Sequence, residues 1–172
     1  MQPKLQAVLN LMPNTCLCCS SLDYNQCCEP FHFGEKLPAT AEALMRSRYA
    51  AYALNKSDYL LETWDAPTRP KTEKIDFSKE KLEWQRLEIV DTKKGGQSDS
   101  KGIVEFKAFY LENGEPHMLH EVSRFVKTNG RWLYVDGVVK KVGKIIQQSN
   151  QGKNAPCTCG SGKKFKRCCG LD

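Results

Sequence analysis

The sequence predicts an α+β domain, helical first and built of antiparallel strands afterwards, with a small cysteine module at each end. Three observations lead there: a capped helical pattern beginning at Ala41, four runs of strand pattern after Leu82, and nine cysteines confined to two clusters in 172 residues. The length suits one domain with small appendages. A composition of 40% hydrophobic and 27% charged residues is a globular balance that excludes wholesale disorder.

The elements follow in chain order. Leu5, Val8, Leu9 and Met12 are spaced as a short amphipathic turn, interrupted by Gln6 and Asn10. Lacking a small-residue cleavage site, this segment does not read as a signal peptide. Pro38 and Thr40 precede a helix from Ala41 to Asn55, with Thr40 as N-cap and Glu42 in the first turn. Met45, Tyr49 and Tyr52 fall on one of its faces, with Leu44 and Arg48 beside them. Ser57 is placed to cap a second short helix through Trp64, and Pro67 and Pro70 enforce a loop. Strand patterns then cover Leu82–Val90, Ile103–Leu111, Leu119–Val126 and Arg131–Val135. In the second of these Val104, Phe106, Ala108 and Tyr110 share a face. The polar stretch Lys93–Lys101 reads as an exposed hairpin tip, and Thr128-Asn129-Gly130 as a tight turn. Trp64 and Trp132 read as core, and His117, near the turn at Asn113-Gly114, as solvated.

The two cysteine clusters repeat one pattern. Cys16-Leu-Cys18 is followed after eight residues by Cys27-Cys28, and Cys157-Thr-Cys159 after eight by Cys168-Cys169. Ser20 matches Ser161, and Tyr24 matches the aromatic Phe165. Without an export signal the compartment is expected to be the reducing cytoplasm, where clustered thiols read as metal ligands before disulfides. Four thiolates suit tetrahedral Zn²⁺, and a filled four-sulfur shell makes the ion structural, with one or two ions per chain. Gly160 and Gly162 supply the freedom for a sharp loop in the second copy. In the first copy Cys19 and Ser21 stand at those positions. Cys19 is the odd ninth cysteine: a buried thiol, an alternative ligand or an oxidation site. His32, just after the first module, reads as a packing or capping residue before a spare ligand.

The segment CTCGSGKKFKRCCG closely resembles the SEC-C motif, the zinc-binding tail of the SecA translocation ATPase. The resemblance carries the ligand role onto Cys157, Cys159, Cys168 and Cys169, with Cys169 replacing the usual histidine. It also implies contacts with partner proteins such as the SecB chaperone, with ribosomes or with lipid. From Cys16 onward the chain resembles the YchJ-type bacterial family, through Leu44-Met-Arg46-Ser-Arg48-Tyr49, Asp58-Tyr59-Leu60, Thr63-Trp64, Glu121-x-Ser123-x-Phe125 and Trp132-x-Tyr134-x-Asp136-Gly137. That resemblance implies a SEC-C-like motif at each end and a cone-like, nuclear transport factor 2-like (cystatin-like) body. The expected division is an extension at 1–15, a zinc module at 16–35, the α+β body at 36–146, and a linker with the second module at 147–172.

Charge is as uneven as cysteine. The net +6 divides into +7 from Lys140 onward and −1 before it, which disfavours a nucleic-acid-wrapping body. Between Cys18 and Cys27 the first module carries Asp23 and no base. Zinc binding therefore does not require the basic run Lys163, Lys164, Lys166 and Arg167, which reads as a partner-binding surface. A protein partner leads, with ribosomal RNA and anionic lipid as alternatives and a solvated basic face as the plain reading. Candidate pocket residues in the body are Arg46, Arg48, Tyr49, Asp58 and Glu121, with His120 and Asp136 further out. Arg48 paired with Asp58 or Glu121 is equally a structural tie. No diagnostic acid/base pair, phosphate loop or nucleophile elbow occurs, so no catalytic residue is assigned. The leading expectation is a zinc-binding interaction protein. A small-molecule binder or enzyme using the body's pocket, and a ribosome- or RNA-associated factor, are the alternatives. No apolar run approaches the roughly 20 residues that span a bilayer.

Overall fold

A computed structural model describes residues 15–77, 82–145, 154 and 162–167. Three helices, α1 (Glu29–His32), α2 (Ala41–Ala53) and α3 (Ser57–Glu62), precede four strands, β1 (Leu82–Lys94), β2 (Lys101–Glu112), β3 (Glu115–Thr128) and β4 (Arg131–Lys144). The strands form one antiparallel meander in sequence order. Among the described residues no helix is long and apolar enough to cross a membrane.

Helix α2 starts where its cap dictates: the Thr40 hydroxyl oxygen accepts from the Ala43 amide at 3.1 Å, satisfying one of the first-turn N–H groups. It is buried on more than one side, through Leu44, Met45, Tyr49, Ala50 and Ala51, because α3, the first cysteine module and the sheet all pack on it. In α3 the expected cap moves. Lys56 holds the N-cap position, and the Ser57 hydroxyl accepts from the Ile75 amide at 2.6 Å instead, tying the following loop to the helix.

The strands join through tight turns at Asn113-Gly114 and Asn129-Gly130, with positive φ at all four residues, as two-residue hairpins require. The β1–β2 connection is not wholly an exposed tip. Gly95 is buried, and its carbonyl accepts from the Ala41 amide at 2.9 Å. A Cβ on Gly102 would lie 2.7 Å from the Gly95 Cα and 2.9 Å from the Ala41 Cβ, so three backbones meet there. Gly102→Ala is expected to lower stability by about 2 kcal/mol through overpacking against atoms that cannot rotate away; urea unfolding of the variant beside the parent measures it.

Both edge strands are bulged, while β2 and β3 pair with each other without interruption. Gln85 and Val90 are the extra residues in β1, and Val135 and Lys140 those in β4. Each bulge bends and twists its strand, so the sheet curves around α2. Val104, Phe106, Ala108, Phe125 and Trp132 lie buried on the concave side. Trp132 also donates from Nε1 to the Ala39 carbonyl at 3.1 Å, tying β4 to the segment just before α2. Beside β4, Trp64 forms an isolated parallel bridge with Tyr134. Asp65 N–H donates to the Tyr134 carbonyl and Tyr134 N–H to the Thr63 carbonyl.

Candidate metal centre and pocket

The first cysteine module is a short loop closed on itself. The Cys16 amide donates to the Leu22 carbonyl, the Cys19 amide to the Cys16 carbonyl, and Thr15 bridges Asp23. A 3-10 turn over Tyr24–Gln26 delivers Cys27, and Cys28 is the N-cap of α1. The chain direction changes between the two adjacent cysteines, which aims both side chains inward.

The Sγ atoms of Cys16, Cys18, Cys27 and Cys28 all lie within 4.8 Å of one another. The Cys18–Cys27 and Cys27–Cys28 separations are 3.5 and 3.8 Å. Tetrahedral Zn–S bonds of about 2.3 Å imply sulfur separations of about 3.8 Å, so this thiol set fits a four-coordinate ion. Cys16, Cys18 and Cys28 are buried, and Ser20 Oγ sits 3.0 Å from Cys27 Sγ, placed to donate to a thiolate. Taken by themselves the thiols leave one favoured anion. Contacts from Cys16 and Cys28 hold Cys18 well below the usual thiol range. Contact with Cys18 pushes Cys16 up to about 12, and Cys28, led by its contact with Cys16, is pushed further. A divalent cation is what lets all four ionise together.

Cys19 and Ser21 both have positive φ, 61° and 66°. They stand at the positions of Gly160 and Gly162, and Gly162 has φ 71°. The likeness continues through the described part of the second module. A 3-10 turn over Phe165–Arg167, with the Arg167 amide donating to Lys164, matches the first module's Gln26-to-Asp23 bond. Sequence spacing and backbone conformation thus agree over 162–167. Cys157, Cys159, Cys168 and Cys169 lie outside the described residues, as do residues 1–14 of the extension expected at 1–15 and residues 147–153 of the linker. A non-glycine residue in the left-handed region is disfavoured by roughly 1–2 kcal/mol, partly offset by glycine's freedom in the unfolded chain. Ser21→Gly is therefore expected to raise stability by about 0.5–1 kcal/mol without altering metal content, measured by denaturant unfolding and elemental analysis.

The module is anchored to α2. Arg46 donates from Nη1 to the Cys18 carbonyl at 2.9 Å and from Nε to Glu42 at 2.8 Å. His32 makes no thiolate contact: its Nδ1 meets the Tyr24 hydroxyl and its Nε2 the Ser47 carbonyl, each at 2.8 Å. A carbonyl only accepts, so Nε2 carries the proton and Nδ1 accepts from Tyr24. Burial holds His32 below the ordinary histidine range, consistent with a neutral ring. Cys19 is exposed, outside the four-sulfur group, with its sulfur 3.4 Å from the Leu87 amide.

The body's candidate residues divide. Arg48, Tyr49 and Glu121 line one cavity of about 290 Å³ between α2 and the concave sheet. Arg46 belongs to the cysteine module. Asp58 is exposed and borders a separate depression beside Arg69 and Glu73. Neither Asp58 nor Glu121 pairs directly with Arg48, which donates to the Leu60 carbonyl and Thr63 Oγ1, each at 2.7 Å. His120 and Asp136 lie elsewhere on the sheet, His120 bonded to Glu105 and Asp136 to Arg124. His117 stacks on Tyr110 at 5.5 Å and is largely covered. Sequence reasoning missed the Arg46 anchor and the Ser20 contact. Ser20 recurs as Ser161 at the matching position, and a hydroxyl repeated beside clustered thiols is the sequence signal for that contact. Lys163, Lys164, Lys166 and Arg167 are all exposed.

Comparison with known proteins agrees with this arrangement. The family model described as the YchJ middle NTF2-like domain matches residues 40–137, and the SEC-C motif matches 154–171. A UPF0225 protein of Photorhabdus laumondii is 39% identical over 163 residues, covering 92% of this chain and 100% of that one. One from Serratia proteamaculans is 41% identical, covering 92% and 99%. The solution structure of a SEC-C motif containing protein from Rhodopseudomonas palustris superimposes with a TM-score of 0.64 at 35% identity, over 74% of this chain and 99% of that one. The crystal structure of a SEC-C motif containing protein from Psychrobacter arcticus gives 0.59 at 31% identity, over 91% and 96%.

Proposed function

The chain belongs to the YchJ-type family of UPF0225 proteins, and from that premise we propose that it is a zinc-binding interaction protein. Each cysteine knuckle holds one structural ion, and the basic C-terminal knuckle docks on an acidic protein partner in the cytoplasm. The observation that carries the metal reading is the gathering of four Sγ atoms within 4.8 Å at the first knuckle. Four sulfur ligands leave no place for a reacting water, so the ion's work is to fold the loop.

The docking reading rests on a contrast between two copies of one backbone. Lys163, Lys164, Lys166 and Arg167 occupy the places of Leu22, Asp23, Asn25 and Gln26. Those four in the first copy carry a net charge of −1, those in the second +4. A positive charge present in one copy and absent from the other suits recognition of an acidic surface. Elemental analysis of protein purified under reducing conditions tests the first claim: two zincs per chain are expected, and near zero would end it. Reversing the four tail charges to Glu tests the second. Binding to a partner identified by cross-linking should fall at least tenfold and lose its salt dependence. Retained ribosome or anionic-vesicle binding by the parent, with no protein partner affected, would replace the protein by RNA or lipid.

A further inference from the structure

The cavity under α2 carries chemistry that the metal reading leaves unused. Trp84 lines it, with Tyr49, Tyr52 and Tyr110 packed against the indole at ring separations of 5.6, 6.3 and 5.4 Å. The rim includes Val142, which is 60% exposed. At the other side sits Arg48, a cation only 3% exposed. Its guanidinium lies over the Tyr134 and Trp64 rings, and its bonds to Leu60 and Thr63 both leave from Nη1. Among the described residues Nε and Nη2 have no hydrogen-bond partner, so three donor hydrogens remain on a buried charge that borders the cavity.

Glu121 borders the same space. Its Oε1 accepts from Ser123 Oγ at 2.7 Å, while Oε2 accepts nothing from the described residues. Its position is fixed by Gly137, where any Cβ would stand 1.9 Å from Oε1. The carboxylate lies across bare backbone at Gly137, and among the described residues Arg48 bonds to Leu60 and Thr63 and not to it. A fixed donor set and a fixed acceptor thus face one apolar, aromatic chamber. Polar groups with unused hydrogen-bonding capacity that open onto a largely apolar cavity are recognition groups for a ligand that completes them.

We propose that this cavity binds a flat one- or two-ring molecule through an amide or lactam edge, its carbonyl oxygen taking hydrogen bonds from Arg48 and its N–H donating to Glu121. A simple carboxylate would satisfy Arg48 and be repelled by Glu121. An apolar ring would leave both unsatisfied. The size agrees, since a cavity of about 150 Å³ takes benzene and this one is about twice that.

The test uses the full chain with its metal, titrated with 2-quinolone, naphthalene-2-carboxylate and naphthalene, following the Trp84 indole N–H resonance. Saturable binding is expected for 2-quinolone, at least tenfold tighter than for the other two. Glu121→Gln keeps the shape over Gly137 and turns part of the acceptor into a donor. It should weaken 2-quinolone roughly tenfold and leave naphthalene unchanged, with an otherwise parental spectrum showing that the variant is folded. Tighter binding of the carboxylate than of 2-quinolone by the parent would make this an anion site. Equal binding of naphthalene would make it an unspecific apolar cavity. No saturable shift with any of the three would make it a packing void. Each of those results overturns the proposal.

Discussion

Cys28→Ser should abolish the metal binding proposed for the first knuckle and cost the whole body about 3 kcal/mol or more, roughly 6–12 °C in melting temperature. The expectation is larger than for a peripheral zinc loop because this knuckle is not peripheral. Cys16, Cys18 and Cys28 belong to the same buried cluster as Leu44, Met45 and Tyr49 of α2. Arg46 and His32 fasten the loop to that helix. Losing the ion leaves thiols crowded at one point with nothing to hold them, and the first turns of α2 lose their cover. The parent should behave the same way as pH falls. Metal binding requires four deprotonated thiols, so affinity drops with acidification and stability with it. Zinc release followed with a chromogenic chelator, in parallel with thermal unfolding, reads both. A knuckle that empties without lowering the melting temperature would contradict the shared core.

Trp132→Ala should cost about 3–5 kcal/mol. Trp132 is 2% exposed, the largest fully buried side chain, and lies where β4 passes α2. Its indole N–H also holds the Ala39 carbonyl, one residue before the α2 N-cap. Trp132→Phe separates the two contributions: it keeps most of the packing and should cost about 1–2 kcal/mol for the orphaned carbonyl and the smaller ring. Unfolding midpoints in urea for both variants check the ratio. If the two variants cost the same, the hydrogen bond and not the volume dominates.

The sequence made some of this legible and hid the rest for identifiable reasons. Thr40, the Asn129-Gly130 turn and the Val104-to-Tyr110 face were readable because each is decided locally, by a cap, a turn or an unbroken alternation. The edge strands were read short. β1 was expected to end at Val90 and β4 at Val135, and both residues are bulge positions. A bulge inserts one residue and reverses the alternation beyond it, so the period-two signal fails where the strand continues. Exposed Val138, Val139 and Val142, mixed with Lys140 and Lys141, gave no inward face to read.

At the candidate site, cysteine spacing pointed to the four thiols that the first module gathers into a group that could hold a metal ion, while those of the second module lie outside the described residues. The pocket was less legible. Arg48, Tyr49 and Glu121 do share a cavity, but Arg46 and Asp58, close to Arg48 in sequence or expected to pair with it, face other surroundings. Helix periodicity does not say which neighbour covers each side of α2. The role of Gly137 depends on a side chain across the ladder, and no local pattern encodes that.

The two bulged strands are also the two with an outer edge. Unpaired edges are templates on which another chain can add a strand and begin to aggregate. β1 and β4 each break their row of amides twice and carry lysines near their ends, Lys93-Lys94 in β1 and Lys140, Lys141 and Lys144 in β4, and β4 is partly covered by residues 63–65. The irregularity that curves the sheet over the cavity therefore also makes the fold resistant to edge-to-edge association. Straightening β4, by deleting one bulge residue, should be visible first as loss of solubility.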